Sequence, residues 1–187
     1  MRGFEEIADG VRTIALTTPT LLPATATNTL VVGRRRLAVI EPATPYADEQ
    51  AALEQLLAGL TGAGAEVSAI LLTHHHPDHV GGNLDLKAAT DCLIVGPAPD
   101  KDRIPGIDIA LDDDDTYAFQ DHPARVLFVP GHTRGHIAFW FYRDRALFCG
   151  DTLFACGCGR LFEGTPAQMW SSLQRLRRIP DDTRIYC

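Results

Sequence analysis

Hydrophobic and polar positions along this chain predict strands in blocks with helices between them. Residues 11–16, 28–32 and 37–40 are short runs of β-branched and aliphatic residues that predict three strands. Gly33-Arg34-Arg35-Arg36 is expected to turn between the last two, its arginines solvated at a hairpin tip. Leu53, Leu56, Leu57 and Leu60 recur at i, i+3, i+4 and i+7, one apolar stripe of a helix that Gly62 and Gly64 end. Residues 67–73 form an aliphatic strand running into a row of histidines, and residues 92–95 another short strand. Three more strands are expected over residues 125–129, 138–142 and 146–149. Thr165-Pro166-Ala167-Gln168 has the form of a capping box with proline at the first helical position. Met169, Leu173, Leu176 and Ile179 then make the buried face of that helix, with Trp170 packed beneath it. A last strand is expected from Arg184 to Tyr186. Strands in blocks of two or three, with helices between, predict two sheets with helices outside, a layered α/β arrangement.

Composition narrows the class. A chain of 187 residues, 45% hydrophobic and 22% charged, is globular and is expected to form one domain over residues 1–187. Its net charge of −7 argues against a phosphate-coating nucleic-acid binder. No apolar run reaches the ~18–20 residues of a membrane span. The segment Met1-Arg2-Gly3-Phe4-Glu5-Glu6 lacks the basic and apolar regions of a signal peptide. Five cysteines, an odd number without scaffold spacing, suit reduced thiols in the cytoplasm. The sequence carries no signal for oligomeric state. The Asp112–Asp115 run reads as a solvated loop and not a calcium site, and Asp121-His122-Pro123 as a turn. Cys156 and Cys158 are two thiols too close together to complete a tetrahedral metal site readily.

The chemistry concentrates where that aliphatic strand ends. Four of the seven histidines fall within Thr73-His74-His75-His76-Pro77-Asp78-His79. His74 and His76 are two apart, so on an extended segment they point the same way, while His75 points away and reads as a non-ligand. Pro77 turns the chain, which brings Asp78 and His79 to a second position beside the first. Gly81-Gly82 then lets the backbone pass close to a neighbour. Two later segments follow predicted strands: Pro130-Gly131-His132-Thr133-Arg134-Gly135-His136 and Gly150-Asp151-Thr152-Leu153. His132 would complete three imidazoles with an open position for water, the coordination of a catalytic zinc, and Asp151 has two oxygens with which to bridge a second ion.

These segments, with Cys158-Gly159-Arg160-Leu161-Phe162-Glu163-Gly164-Thr165, resemble the metallo-β-lactamase fold hydrolases, and among them the glyoxalase II (hydroxyacylglutathione hydrolase) type. The resemblance implies an αββα four-layer sandwich with a dinuclear metal site. It implies His74, His76 and His132 as ligands of a first metal, Asp78 and His79 as ligands of a second, and Asp151 as the bridge. It assigns catalytic roles to Asp78 and Asp151, places Arg160 against the glutathione moiety, and puts Phe162 where some members have a substrate-contacting tyrosine. His136 matches a supporting position that is not a ligand.

The implied activity is hydrolysis of a small-molecule thioester such as S-lactoylglutathione by a metal-bound hydroxide. The metal is zinc, with iron or manganese as alternatives. Lactone, β-lactam or phosphoester hydrolysis on the same site, or a non-catalytic metal-binding fragment, are the competing readings. A mononuclear-iron sulfur dioxygenase is disfavoured by the intact Asp78-His79 pair. Two departures shape the expectation. The family continues after a Tyr-Cys pair into a Gly-His-Glu-Tyr segment and a helical region, whereas Tyr186-Cys187 are the last residues here. The expectation is a C-terminally truncated domain with one tight metal site and a weaker second. Glu41 stands where the family usually has Asp near the metals, and its extra methylene is expected to shift a supporting hydrogen bond.

Overall fold

In the computed structural model, which describes residues 3–120 and 122–187, the chain divides into two compact units. Met1 and Arg2 of the N-terminal reading, and Asp121 of the expected turn, lie outside the described residues. The first unit comprises residues up to Val95 together with Arg103–Ile109. Its strands β1 (Glu5–Ala8), β2 (Val11–Thr17), β3 (Ala26–Val32) and β4 (Arg36–Ile40) follow one another as an antiparallel meander. Helix α1 (Ala47–Gly62) then carries the chain to β5 (Glu66–Leu71), parallel to β4. Two short helices, α2 (Pro77–Val80) and α3 (Asn83–Thr90), lead to β6 (Leu93–Pro97), parallel to β5. Parallel neighbours need such crossovers, which is why the helices fall where the strand direction is kept. With β7 (Ile109–Leu111) the sheet has seven strands in sequence order.

The predicted leucine stripe does form this unit's core. Leu53 and Leu57 are buried against Leu16, Val31, Leu37, Val39 and Ile70 of the sheet, with Leu56 and Leu60 packed at the margin. Full burial of such a side chain contributes roughly 1.5–3 kcal/mol. Gly82 does what the sequence suggested: its N–H donates to Pro42 O at 2.7 Å, and a Cβ there would lie 2.6 Å from that oxygen. The turn between α2 and α3 is thereby held against the segment after β4.

The second unit comprises Gly96–Asp102 and Ala110–Cys187. Strands β8 (Thr116–Phe119), β9 (His122–Phe128), β10 (Ile137–Phe141) and β11 (Ala146–Phe148) are antiparallel neighbours. A small ribbon of β12 (Leu153–Phe154) and β13 (Gly157–Cys158) follows, then α4 (Pro166–Leu176) and β14 (Arg184–Tyr186), which pairs in parallel with β11. Leu127, Val129, Ala138, Leu147 and Leu176 form the core between this sheet and α4, with Trp140 and Ile179 packed against it. Both halves of the Thr165–Gln168 capping box are present.

Several expectations need correction. Trp170 is 64% exposed: α4 buries Met169, Ser172 and Leu176, and position 170 lies about 100° around the helix from 169. His122 is not a turn residue; it opens β9, and its Nδ1 lies 2.8 Å from Asp144 Oδ1. The strands β1, β7 and β8 were not expected, being only three or four residues long with little apolar signal. The Asp112–Asp115 run is an exposed turn, but not a merely solvated one. Arg175 donates to Asp113 at 2.8 Å and to Asp114 at 2.8 Å, and Arg125 donates to Asp114 at 3.1 Å. Partial burial works against the charge on Asp113, but Arg175 and the Phe128 N–H outweigh it and hold the carboxyl below its ordinary range. No helix among the described residues is long and apolar enough to cross a membrane.

Candidate metal centre

In the first unit the histidine row leaves β5 as extended backbone. Leu72 N–H donates to Val95 O at 2.9 Å, which carries the segment one step beyond the strand. His76 caps α2 in an extended conformation, with Pro77 at the first helical position. The single turn of α2 folds the chain back, and His79 N–H donates to His76 O at 2.9 Å. The rings of His74 and His76 are 4.8 Å apart and those of His74 and His79 4.2 Å apart, centroid to centroid. His74 and His79 are buried, and His76 and Asp78 are half-buried. Three imidazoles thus gather within a few residues of chain, whereas Asp78, on the same turn, is not among the groups whose donor atoms come within 4.8 Å of one another among the described residues. His75 instead lines a shallow cavity with Pro45, Pro77, Leu84 and Arg103, in keeping with its reading as a residue that points away.

Glu41 completes this cluster from the end of β4. It is buried, with φ of 56°, in the left-handed region. Its carboxylate accepts a hydrogen bond from the Thr73 hydroxyl and lies 2.9 Å from His79 Nδ1. Thr73 Oγ1 is in turn 3.0 Å from His74 Nδ1. The extra methylene of Glu41 does not leave the cluster unsupported; both carboxylate oxygens have partners. Glu41, His74 and His79 hold their donor atoms within 4.8 Å of one another. Thr73 was missed in the sequence, although a hydroxyl directly before the first histidine was a legible signal.

In the second unit His132 follows β9 on a loop that the chain ties twice. Gly131 N–H donates to Thr133 O at 3.0 Å, and Phe162 N–H donates to His132 O at 3.2 Å. His132 Nδ1 lies 2.8 Å from Arg160 O. A carbonyl only accepts, so the proton sits on Nδ1 and Nε2 is left as a donor of electrons. That Nε2 is 3.2 Å from Asp151 Oδ2. Asp151 sits in a short turn after β11, and its backbone N–H donates to His136 Nε2 at 3.2 Å. His136 is fully buried, and its Nδ1 lies 3.0 Å from Ile137 O. It therefore supports the Asp151 turn and does not reach for a ligand. Phe162 meets His132 edge-on at 5.2 Å, and the Arg160 guanidinium lies 5.8 Å from the Phe162 ring. Arg160 and Phe162 are both exposed, a cation and an apolar face beside His132.

Comparisons with known proteins place the chain in a family and a fold. The model of the metallo-beta-lactamase superfamily matches residues 22–187. A hydroxyacylglutathione hydrolase of Methylococcus capsulatus is 55% identical over 148 residues, which cover 76% of this chain and 58% of that protein. The chain thus spans little more than half the length of the curated relatives it matches, 52% for a hydroxyacylglutathione hydrolase of Rhodospirillum rubrum. Among solved structures, a beta-lactamase domain protein from Burkholderia ambifaria superimposes with a TM-score of 0.79 at 21% identity, covering 97% of this chain and 69% of that one. A protein crystallised in a di-iron-bound form, TTHA1623, superimposes with a TM-score of 0.67 at 29% identity, covering 91% and 90%.

Proposed function

The chain belongs to the metallo-beta-lactamase superfamily and has its fold, and we propose that it is the catalytic domain, residues 1–187, of a metal-dependent hydrolase that cleaves a thioester of glutathione such as S-lactoylglutathione. The observation that carries this reading is how the histidines are held. Metal-ligating histidines characteristically give their second ring N–H to a carboxylate or a backbone carbonyl. His79 has the Glu41 carboxylate 2.9 Å from its Nδ1, and His132 has the Arg160 carbonyl 2.8 Å from its own. The donor set, imidazole nitrogen with carboxylate oxygen, suits zinc and also iron or manganese. The di-iron form of the relative at 29% identity supports iron as the second choice.

In this reading His74, His76 and His132 would hold one ion and Asp78 and His79 the other, with the Asp151 carboxylate as a further ligand. The donors present favour one tight ion and a weaker second, because three imidazoles serve the first and one, His79, serves the second. Bound divalent ions would supply Lewis acidity, lowering the pKa of a water and polarising the thioester carbonyl. The protein's own groups do the rest. Asp78 and Asp151 orient the attacking water. His136 fixes the Asp151 turn through its backbone N–H. Arg160 binds a carboxylate of the glutathione moiety, and Phe162 packs against its apolar part but has no hydroxyl to donate. The departing thiolate is stable enough to leave without a strong general acid, so no serine or cysteine nucleophile is needed. Five free cysteines support a reducing compartment, the cytoplasm.

The test is a panel of S-lactoylglutathione, a lactone, a β-lactam and a phosphodiester, assayed on zinc-loaded protein with elemental analysis alongside. Thioester cleavage that falls at least 100-fold in Asp151→Asn, with metal lost in His76→Ala, is expected. Preference for any other bond, or full metal content in His76→Ala, overturns the reading.

A further inference from the structure

Cys156-Gly157-Cys158 has no part in the proposed hydrolysis, yet it sets two exposed thiols two positions apart. The segment lies on the small ribbon of β12 and β13. Leu153 pairs with Cys158 and Phe154 with Gly157, so Ala155 and Cys156 make a two-residue turn and Cys158 stands on the returning strand. Phe154 to Cys158 are exposed throughout, whereas Cys92 and Cys149 are buried. The spacing allows the two sulfurs to meet. Two residues of extended strand span about 6.6–6.8 Å, and bridged cysteines have Cα atoms about 4.4–6.8 Å apart. Cys156 is in the turn, where a curving chain shortens that span. A Cβ at Gly157 would meet nothing within 4 Å, so the ribbon has room to bend. Bending ends at Gly159, which is buried and closed in by the Asp151 carbonyl. A bridge made near the limit of the permitted span, in an exposed ribbon, is readily reduced again, unlike a structural disulfide.

We propose that Cys156 and Cys158 form a thiol–disulfide exchange site for glutathione disulfide. The Cys156 thiolate, at the tip of the ribbon, attacks one sulfur of that molecule. The bond between the two glutathione sulfurs breaks, a mixed disulfide forms on Cys156, and one glutathione leaves as its thiolate. The Cys158 thiolate then attacks Cys156 Sγ, the mixed disulfide breaks, and the second glutathione leaves. The cysteine pair gives up two electrons and two protons, and glutathione disulfide takes up both to become two glutathione molecules. Excess glutathione runs the steps backwards. The choice of glutathione rests on the function proposed above, in which Arg160, exposed two residues beyond Cys158, binds a glutathione carboxylate.

The experiment exposes the reduced full chain to glutathione disulfide and, in parallel, to hydroxyethyl disulfide, which carries no carboxylate. The chain bears Cys187→Ser, so that the third exposed thiol does not compete. Peptide mass mapping locates each bridge, and the glutathione released is counted. A Cys156–Cys158 bridge with two glutathiones released per chain, reversed by excess glutathione, is expected. Cys158→Ser should stop at a mixed disulfide on Cys156 with one glutathione released. A chain that ends with a glutathionyl group on each cysteine and no bridge, or that does not react, overturns the exchange site. Arg160→Ala should slow the reaction with glutathione disulfide about 10-fold, the scale of one hydrogen bond to a charged group, and leave hydroxyethyl disulfide unaffected. An Arg160→Ala chain unchanged toward both disulfides overturns glutathione as the ligand and the role given to Arg160, while the bridge decides the exchange site by itself. None of these readouts requires a bound metal or turnover.

Discussion

Gly159 is the position in the second unit where one added carbon should do most damage. It follows β13 and comes before Arg160, whose carbonyl receives the His132 Nδ1 proton. A Cβ at Gly159 would overlap the Asp151 carbonyl oxygen and lie 3.0 Å from both the Asp151 carbonyl carbon and His132 Nδ1. Comfortable separation between carbon atoms is about 3.5–4.0 Å, so the strand must retreat by roughly 0.5–1 Å. The backbone there is not in the left-handed region, so the cost is steric and not conformational. Overpacking of this kind costs about 1–3 kcal/mol.

The functional loss should be larger than the stability loss suggests. Retreat stretches the 2.8 Å bond that fixes the His132 tautomer and displaces the Asp151 backbone. A misplacement of about 1 Å can cost on the order of 100-fold in rate. The assay compares Gly159→Ala with Gly157→Ala, a control two residues away where an added Cβ meets nothing within 4 Å. Denaturant unfolding should place the control within about 0.5 kcal/mol of wild type. Zinc titration and thioester turnover should separate the two variants further. If Gly159→Ala matches Gly157→Ala in stability, zinc uptake and turnover, the close approach of β13 to His132 and Asp151 has been misread.

Other outcomes follow from the same structure. Thr165→Ala should destabilise by about 1 kcal/mol in urea unfolding, because it removes the side-chain acceptor for the Gln168 N–H, whereas Thr165→Ser should restore most of the loss. The folded-state pKa of Asp113 is lowered, so its contribution to stability is complete above the unfolded carboxylate value of about 3.9 and is lost as pH falls through the folded value. Asp113→Asn should therefore flatten the acid limb of a stability-against-pH curve while leaving its neutral end lower than wild type. His75→Ala should leave zinc content unchanged in elemental analysis, in contrast to His76→Ala, because His75 lines a different face of the chain.

What could be read from the sequence was whatever depends on residues close together along the chain. The Thr165–Gln168 box, the leucine stripe of α1 and the His74–His79 cluster each lie within one element or one turn, so local spacing determines them. Errors arose where a distant partner decides. Asp121-His122-Pro123 has turn chemistry, yet proline is tolerated near the start of a strand, and Asp144, 22 residues on from His122, supplies the contact that holds it there. Trp170 has the apolar bulk of a core residue but sits off the Met169–Leu176 stripe, so helix phase, and not composition, sets its exposure.

Glu41 is the most instructive case. Judged by arm length alone, one methylene too many should weaken the support of the metal centre. Its placement at φ 56°, ahead of Pro42 and beside the close approach of Gly82, lets the longer arm reach Thr73 and His79 together. A side chain's reach is set by where its backbone starts as much as by its length. The backbone here is fixed by Leu71 O, which accepts from the Glu41 N–H, by the Thr29 hydroxyl, which donates to the Glu41 carbonyl, and by the Gly82 N–H on Pro42 O, partners that no periodicity in the sequence records.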